Sequence, residues 1–235
     1  MIFNILALMG QEAVEATAQI VAPVKEELSF SLIGMALKGG WLMIPLLLLS
    51  ILSIYIFGER WWAIKKATQI DDNFMRNIHD YIHEGKIKAA INLCHTQETP
   101  IARLIEKGIE RIGRPLTDIQ TAVENMGNVE VARLEKGLPW LATIAGGAPM
   151  IGFLGTVIGM IQAFYNMSQA GSNVDITLLS GGIYTAMVTT VAGLIVGIMA
   201  YFGYNYLVAR IDNIVYKMES NTIEFMDLLH EPAGK

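Results

Sequence analysis

Charge is missing from this chain in blocks. No Asp, Glu, Lys or Arg occurs between Lys38 and Glu59, between Lys136 and Asp175, or between Asp175 and Arg210. A helix needs about 20 apolar residues to cross a hydrocarbon layer of about 30 Å, so the first block fits one crossing and each of the others exceeds one. Asp175 sits in the polar run "NMSQAGSNVDITLLSGG", which predicts a short turn over 168–177 joining two long helices. The spans are then 39–58, 138–167 and 178–207. More than half of the 235 residues are hydrophobic and the mean hydropathy is positive, far from the balance of a soluble domain. The expected fold is an all-α membrane protein with three transmembrane helices, its long helices extending into a helical cytoplasmic domain.

Orientation follows from basic residues beside the spans. Arg60, Lys65 and Lys66 follow the first, Arg133 and Lys136 precede the second, and Arg210 and Lys217 follow the third, while the turn over 168–177 has no Lys or Arg. The positive-inside rule puts 59–137 and 208–235 in the cytoplasm and the turn outside. Residues 1–38 are then periplasmic or interfacial, and we expect an amphipathic segment retained at the outer surface, since "MIFNILALMG" lacks the basic start of a secretion signal. In a bacterium this is a multi-pass inner-membrane protein with its C-terminus in the cytoplasm, in contact with membrane lipid. Cys94 is the sole cysteine, so no intrachain disulfide forms, and no basic patch suggests nucleic acid.

The segment 59–137 reads as helices. Asp71, Asp72 and Asn73 offer a cap to "FMRNIHDYIHE"; Gly85 breaks that helix; "KIKAAINLCHT" makes another; Pro100 opens a third, which Gly113 and Pro115 end. Thr117 with Gln120 predicts a capping box, and Ile119, Val123, Met126, Leu134 and Leu138 then recur at helical spacing. With no strong stop beyond Gly137 and Pro139, this helix is expected to continue into the second span, kinked at Pro139 and Pro149.

Small residues form ridges on the second and third spans. Ala148, Gly152 and Thr156 fall four apart, as do Gly155, Gly159 and Ala163; the third span repeats the device with Gly182, Ala186 and Thr190, and with Thr185, Thr189, Gly193 and Gly197. Such spacing lets membrane helices approach closely. Packing within one copy would use some of these ridges; four are more than a three-helix chain needs, which predicts an oligomer. Hydroxyls gather on the same spans. A membrane threonine most often bonds back to its own helix, yet Thr156 and Thr190 on neighbouring spans are candidates for a shared polar lining. No ionisable Asp, Glu, His, Lys or Arg lies in any span. Ion pathways normally carry one. If this chain moves protons or sodium, the titrating carboxylate comes from another chain.

The motifs "VARLEKGLPWLATIAGGAPMIGFLGTVIGMIQAF" and "LLSGGIYTAMVTTVAGLIVGIMAYFGYN" closely resemble the MotA/TolQ/ExbB proton-channel family, and the layout of three spans with a large loop after the first resembles its ExbB and TolQ branch. The resemblance implies a pentamer around a central pore, enclosing the single-span helices of an ExbD- or TolR-like partner whose aspartate is protonated and released as ions cross. It implies an ExbB-like motor subunit that turns proton-motive force into work on a TonB-like protein for outer-membrane transport. The alternatives are a TolQ-like subunit for envelope maintenance and a non-conducting scaffold. The family's pore threonines fall on Thr156 and Thr190. Five residues before the latter, many ExbB proteins carry a pore-facing glutamate, where this chain has Thr185.

Other chemistry is poorly supported by the residues. His79 and His83 lie one turn apart without a third ligand, so a solvated helix face is expected rather than a metal site. Cys94 and His95 fall on different helix faces, "GGAPMIGFLG" lacks the lysine of a phosphate loop, and no base or metal ligand stands at membrane depth. No enzyme activity, metal or cofactor is expected.

Overall fold

The computed structural model describes residues 39–69, 71, 73–169 and 176–230. Within them the chain is helical, without a strand: α1 (Met43–Ala67), α2 (Phe74–His83), α3 (Ile87–Gln97), α4 (Pro100–Ile109), α5 (Leu116–Glu135), α6 (Leu138–Gln169) and α7 (Ile176–His230). Three helical stretches are long and apolar enough to cross a membrane. The expected outer segment, residues 1–38, and the centre of the 168–177 turn lie outside the described residues.

α6 and α7 form the most extensive helix pair, and α1 lies against both, burying Leu46, Ser53 and Ile56. The short helices make a second layer beyond the membrane portion. Their buried faces follow the helical period: Phe74, Met75 and Ile78 from α2, Ala90 and Cys94 from α3, Ile101, Leu104, Ile105 and Ile109 from α4, Ile119 and Val123 from α5. α2, α4 and α5 close on the end of α7, where Ile211, Ile214, Met218 and Phe225 are buried, and α3 packs on α2 and α4. The Phe225 ring lies directly over Gly108, where any Cβ would collide with it. α7 has 55 residues. At a rise of 1.5 Å per residue it is about 80 Å long, well over twice a hydrocarbon layer, so one unbroken helix serves both layers.

Local signals held unevenly. Pro100 opens α4, with the Thr99 hydroxyl accepting from the Ala102 amide as its cap. Gly85 ends α2 with φ +71°. The capping box does not form: α5 begins at Leu116 with Pro115 as its N-cap, so Thr117 is already inside the first turn, and Gln120 instead donates to Glu124. Asp71 accepts from the Asn73 amide, but no side chain caps α2 itself.

The helix expected to run from the cytoplasm into the second span is broken, and not at a proline. Lys136 leaves the helical region with ψ 125° and Gly137 takes φ +87°, a left-handed conformation that glycine adopts without penalty. α6 then starts at Leu138, with Pro139 in its first turn, where a missing amide proton costs nothing. Pro149 sits within α6 without ending it. Arg60, from the end of α1, reaches over this break and donates to the Arg133 carbonyl at 3.3 Å, placing a cation at the C-terminus of α5.

One charge lies in the core. Glu130, only 1 % exposed, accepts from Arg103 and from Arg133, each at 2.6 Å. A buried carboxylate held by two guanidiniums is costly to leave with fewer partners. The pair of substitutions Arg103→Met and Arg133→Met should lower stability by about 3 kcal/mol or more, and adding Glu130→Gln should recover a good part of it, as read by thermal melting in detergent.

Candidate functional site

The helix pair α6 and α7 carries every small-residue ridge, and every glycine of those ridges faces the opposite helix. A Cβ at Gly152 would stand 3.0 Å from the Thr189 carbonyl oxygen, 3.1 Å from the Thr190 Cα and 3.2 Å from the Gly193 Cα. Gly155 faces the Thr189 side chain, Gly159 faces Ala186 and Gly182, and Gly182 in turn faces Ala163. Gly193 lies on the Ala148 carbonyl, 2.6 Å from where its Cβ would be, and Gly197 lies on Pro149 and the Ala145 carbonyl. Proline at 149 removes the amide that would have bonded that carbonyl in the helix, and the bare Cα of Gly197 lets α7 come close to it. Within one copy the seam uses the glycines and alanines of the four ridges, while Thr156 lines an open groove and Thr185 lies towards Gly40. Two adjacent faces on each helix interleave within a single seam.

The hydroxyls sit in and beside this seam. Thr189, 2 % exposed, donates to the Ala186 carbonyl at 2.7 Å and fills the space left by Gly155. Thr190, half-buried, donates across the seam to the Gly152 carbonyl at 2.8 Å. Thr156 stands one turn beyond Gly152 and donates to the Phe153 carbonyl at 2.6 Å. Thr156 also lines an open groove of about 540 Å³ whose other walls are Val157, Met160, Ile161 and Phe164. Thr190 and Thr156 thus bond to the consecutive carbonyls of Gly152 and Phe153 on α6. Thr185 does not join them. Five residues along a helix is a rotation of about 140°, and its γ-methyl lies instead towards Gly40, in the turn before α1, 3.8 Å from where a Cβ there would be.

Outside the seam the chemistry is sparse. Among the described residues no three His, Cys, Asp or Glu side chains gather to hold a metal; His79 and His83 stack with ring centroids 4.3 Å apart. Burial, with the nearby Glu106 adding to it, pushes the Cys94 thiol up to about 12, which leaves it protonated and inert at neutral pH. A larger cavity of about 700 Å³ lies between α5 and the end of α7, with Glu124, Glu219 and Asp227 among its walls.

With three membrane-length helices, a glycine seam and two hydroxyls on consecutive carbonyls in view, comparison with known proteins decides the class. A sequence profile of the MotA/TolQ/ExbB proton channel family matches residues 96–220. The chain belongs to this family. It is 34 % identical over 175 residues to a biopolymer transport protein named ExbB-like 1 from Synechocystis, covering 74 % of this chain and 69 % of that one. An ExbB homologue of Methanothermobacter thermautotrophicus is 31 % identical over 60 % of this chain and half of its own length. The TolQ protein of the Tol-Pal system of Haemophilus influenzae is 36 % identical over 45 % of this chain and 46 % of its own. Membership makes the chain a multi-pass inner-membrane protein of a proton-driven system, in the ExbB and TolQ branch.

The seam makes a sharp prediction. Gly193→Ala would force its new methyl into the Ala148 carbonyl and the Gly152 backbone, which cannot swing aside, whereas Gly147 faces open space. Gly193→Ala should cost about 1–3 kcal/mol, and Gly147→Ala less than about 0.5 kcal/mol, measured as thermal melts of the two purified variants.

Proposed function

We propose that this chain is the pore-forming subunit of an ExbB-like motor, in which several copies, five by resemblance, surround the single-span helices of an ExbD- or TolR-like partner. Proton flow past the partner's aspartate would drive work on a TonB-like protein for outer-membrane transport. The observation that carries the reading is that Thr190 and Thr156 bond the consecutive carbonyls of Gly152 and Phe153 on α6, in a family of proton channels, within spans that hold no ionisable Asp, Glu, His, Lys or Arg. A proton path built so needs a carboxyl from another chain. The ring rests on the family resemblance and on the groove at Thr156, which one copy leaves open, not on surplus glycine. A TolQ-like role in envelope maintenance is the second reading, favoured by the matches to TolQ proteins of Haemophilus influenzae and Pseudomonas aeruginosa.

Valine in place of either threonine keeps the shape and deletes the hydroxyl. Thr156→Val and Thr190→Val should both assemble, since one membrane hydrogen bond averages only about 0.6 kcal/mol, and both should lose most motor-dependent transport in cells carrying only the variant. Thr185→Val should lose less. Full transport by both of the first two variants would reduce those hydroxyls to packing.

The orientation proposed, turn outside and both 59–137 and the C-terminus inside, has its own check. Because Cys94 is buried and protonated, an impermeant maleimide applied to intact and opened cells reads only introduced thiols. Ser172→Cys should label from outside and Thr96→Cys only after opening, and equal labelling of both from outside would overturn the topology.

A further inference from the structure

We propose that Lys65 and Arg210, with Trp61 and Tyr206 between them, hold the headgroup of an anionic phospholipid where α1 and α7 leave the apolar layer; the site is independent of the motor reading. The charge-free stretch of α1 ends at Glu59 and that of α7 at Arg210. The two helices touch there, with the Phe57 ring against Gly203 and 6.4 Å from the Tyr206 ring between centroids. Helical side chains lean towards the helix N-terminus. On both helices that direction is back towards the apolar layer, and both cations take it. Lys65 Nζ lies 5.2 Å over the Trp61 ring, one turn back. The Arg210 guanidinium lies 5.3 Å over the Tyr206 ring, also one turn back, and donates to its hydroxyl at 3.2 and 3.3 Å. The Trp61 indole lies beside the same hydroxyl, so the four side chains form one cluster across two helices.

Their neighbours set these two cations apart. Of the basic residues flanking the charge-free stretches, Arg60 is paired with Glu59, Lys66 with Glu98 and Arg133 with Glu130. Lys65 and Arg210 have aromatic faces instead, and no carboxylate within ion-pair distance among the described residues. An aromatic face orients a cation without neutralising it. The nearest acid along α7, Asp212, stands two residues on, about 160° round the helix. Two oriented, uncompensated positive charges at a hydrocarbon boundary match a phosphate diester. A zwitterionic headgroup brings a cation of its own, which Lys65 and Arg210 repel and for which both rings are already taken, so a headgroup of net negative charge is selected. The tail has a place as well. Ile54, Gly58, Trp61 and Lys65 share one face of α1, and Phe202, Tyr206 and Arg210 one face of α7. Below the cations, Ile54 and Phe202 are exposed, and a Cβ at Gly58 would meet nothing within 4 Å. This bare apolar strip leads from the cations into the hydrocarbon, which suits an acyl chain and gives nothing to a free phosphate.

Trp61 itself reports on the site. In the full chain carrying Trp41→Phe, Trp62→Phe and Trp140→Phe, all three at exposed positions, its fluorescence is the only indole signal. The chain is reconstituted in bilayers of phosphatidylcholine in which a graded share is replaced by phosphatidylglycerol, with one or the other lipid brominated on its acyl chains as the quencher. Brominated phosphatidylglycerol should quench Trp61 beyond its share of the bilayer. That preference should fall about fivefold in Lys65→Gln and in Arg210→Gln, and hardly change in Lys217→Gln, which removes the same charge further along α7. Lys65 is exposed, so its variant keeps the fold; should Arg210→Gln not fold, Tyr206→Phe keeps the charge, releases the guanidinium and should also lower the preference. Quenching that follows bulk composition overturns the proposal. So does an equal fall in Lys217→Gln, which would make the preference a general surface potential. Added inorganic phosphate or glycerol phosphate, at matched ionic strength, should leave the preference intact, and its loss to either would mark a site for phosphate anions rather than for a lipid.

Discussion

Everything in the membrane layer depends on how closely α6 and α7 approach. Where Gly152 meets Gly193, the helices touch backbone to backbone, and only the absence of a Cβ on both sides allows it. In lipid there is no gain from hiding apolar surface between helices, so dispersion at short range and hydrogen bonds to exposed carbonyls must hold the pair. The seam supplies both. The Thr190 hydroxyl reaches the Gly152 carbonyl because the backbones are near enough, and the freed carbonyl at Ala145 meets a bare Gly197 for the same reason. The polar feature and the packing feature of this protein are one feature.

Much of this was legible in the sequence. Uncharged blocks mark the three membrane helices, and the four-residue spacing of glycine, alanine and threonine marks the faces that approach. What spacing alone does not reveal is the partner of each ridge. Two ridges per helix look like a surplus for a single pair, yet adjacent ridges about 100° apart around the helix share one interleaved seam when the crossing is tight. Thr185 was grouped with Thr190 through a family glutamate position, a comparison along the chain that takes no account of the rotation between them.

The layer of short helices shows where local signals fail. Thr117 with Gln120 has the letters of a capping box, but Pro115 already fixes a φ suited to helix entry and starts α5 at Leu116, leaving the threonine no terminus to cap. Glu130 gave no signal because a glutamate on an amphipathic helix usually faces water; its burial follows from Arg103, which stands 27 residues earlier on another helix. The break at Gly137 was visible as a glycine and discounted beside the prolines. A proline in the first turn of a helix is harmless, whereas a glycine can take a conformation that other residues resist, and Arg60 supplies the helix end it creates with a cation.

The two connections between the membrane-length helices and the layer of short helices are mechanically unlike. α7 passes from Thr190 to Phe225 without interruption, a continuous rod whose every turn is cross-braced by backbone hydrogen bonds. α6 meets α5 through two non-helical residues, Lys136 and Gly137. From Thr190 the helix runs unbroken to the hydrophobic socket around Phe225, whereas the path along α6 crosses the break at Gly137. The molecule has one drive shaft and one joint, and Thr190 is mounted on the shaft.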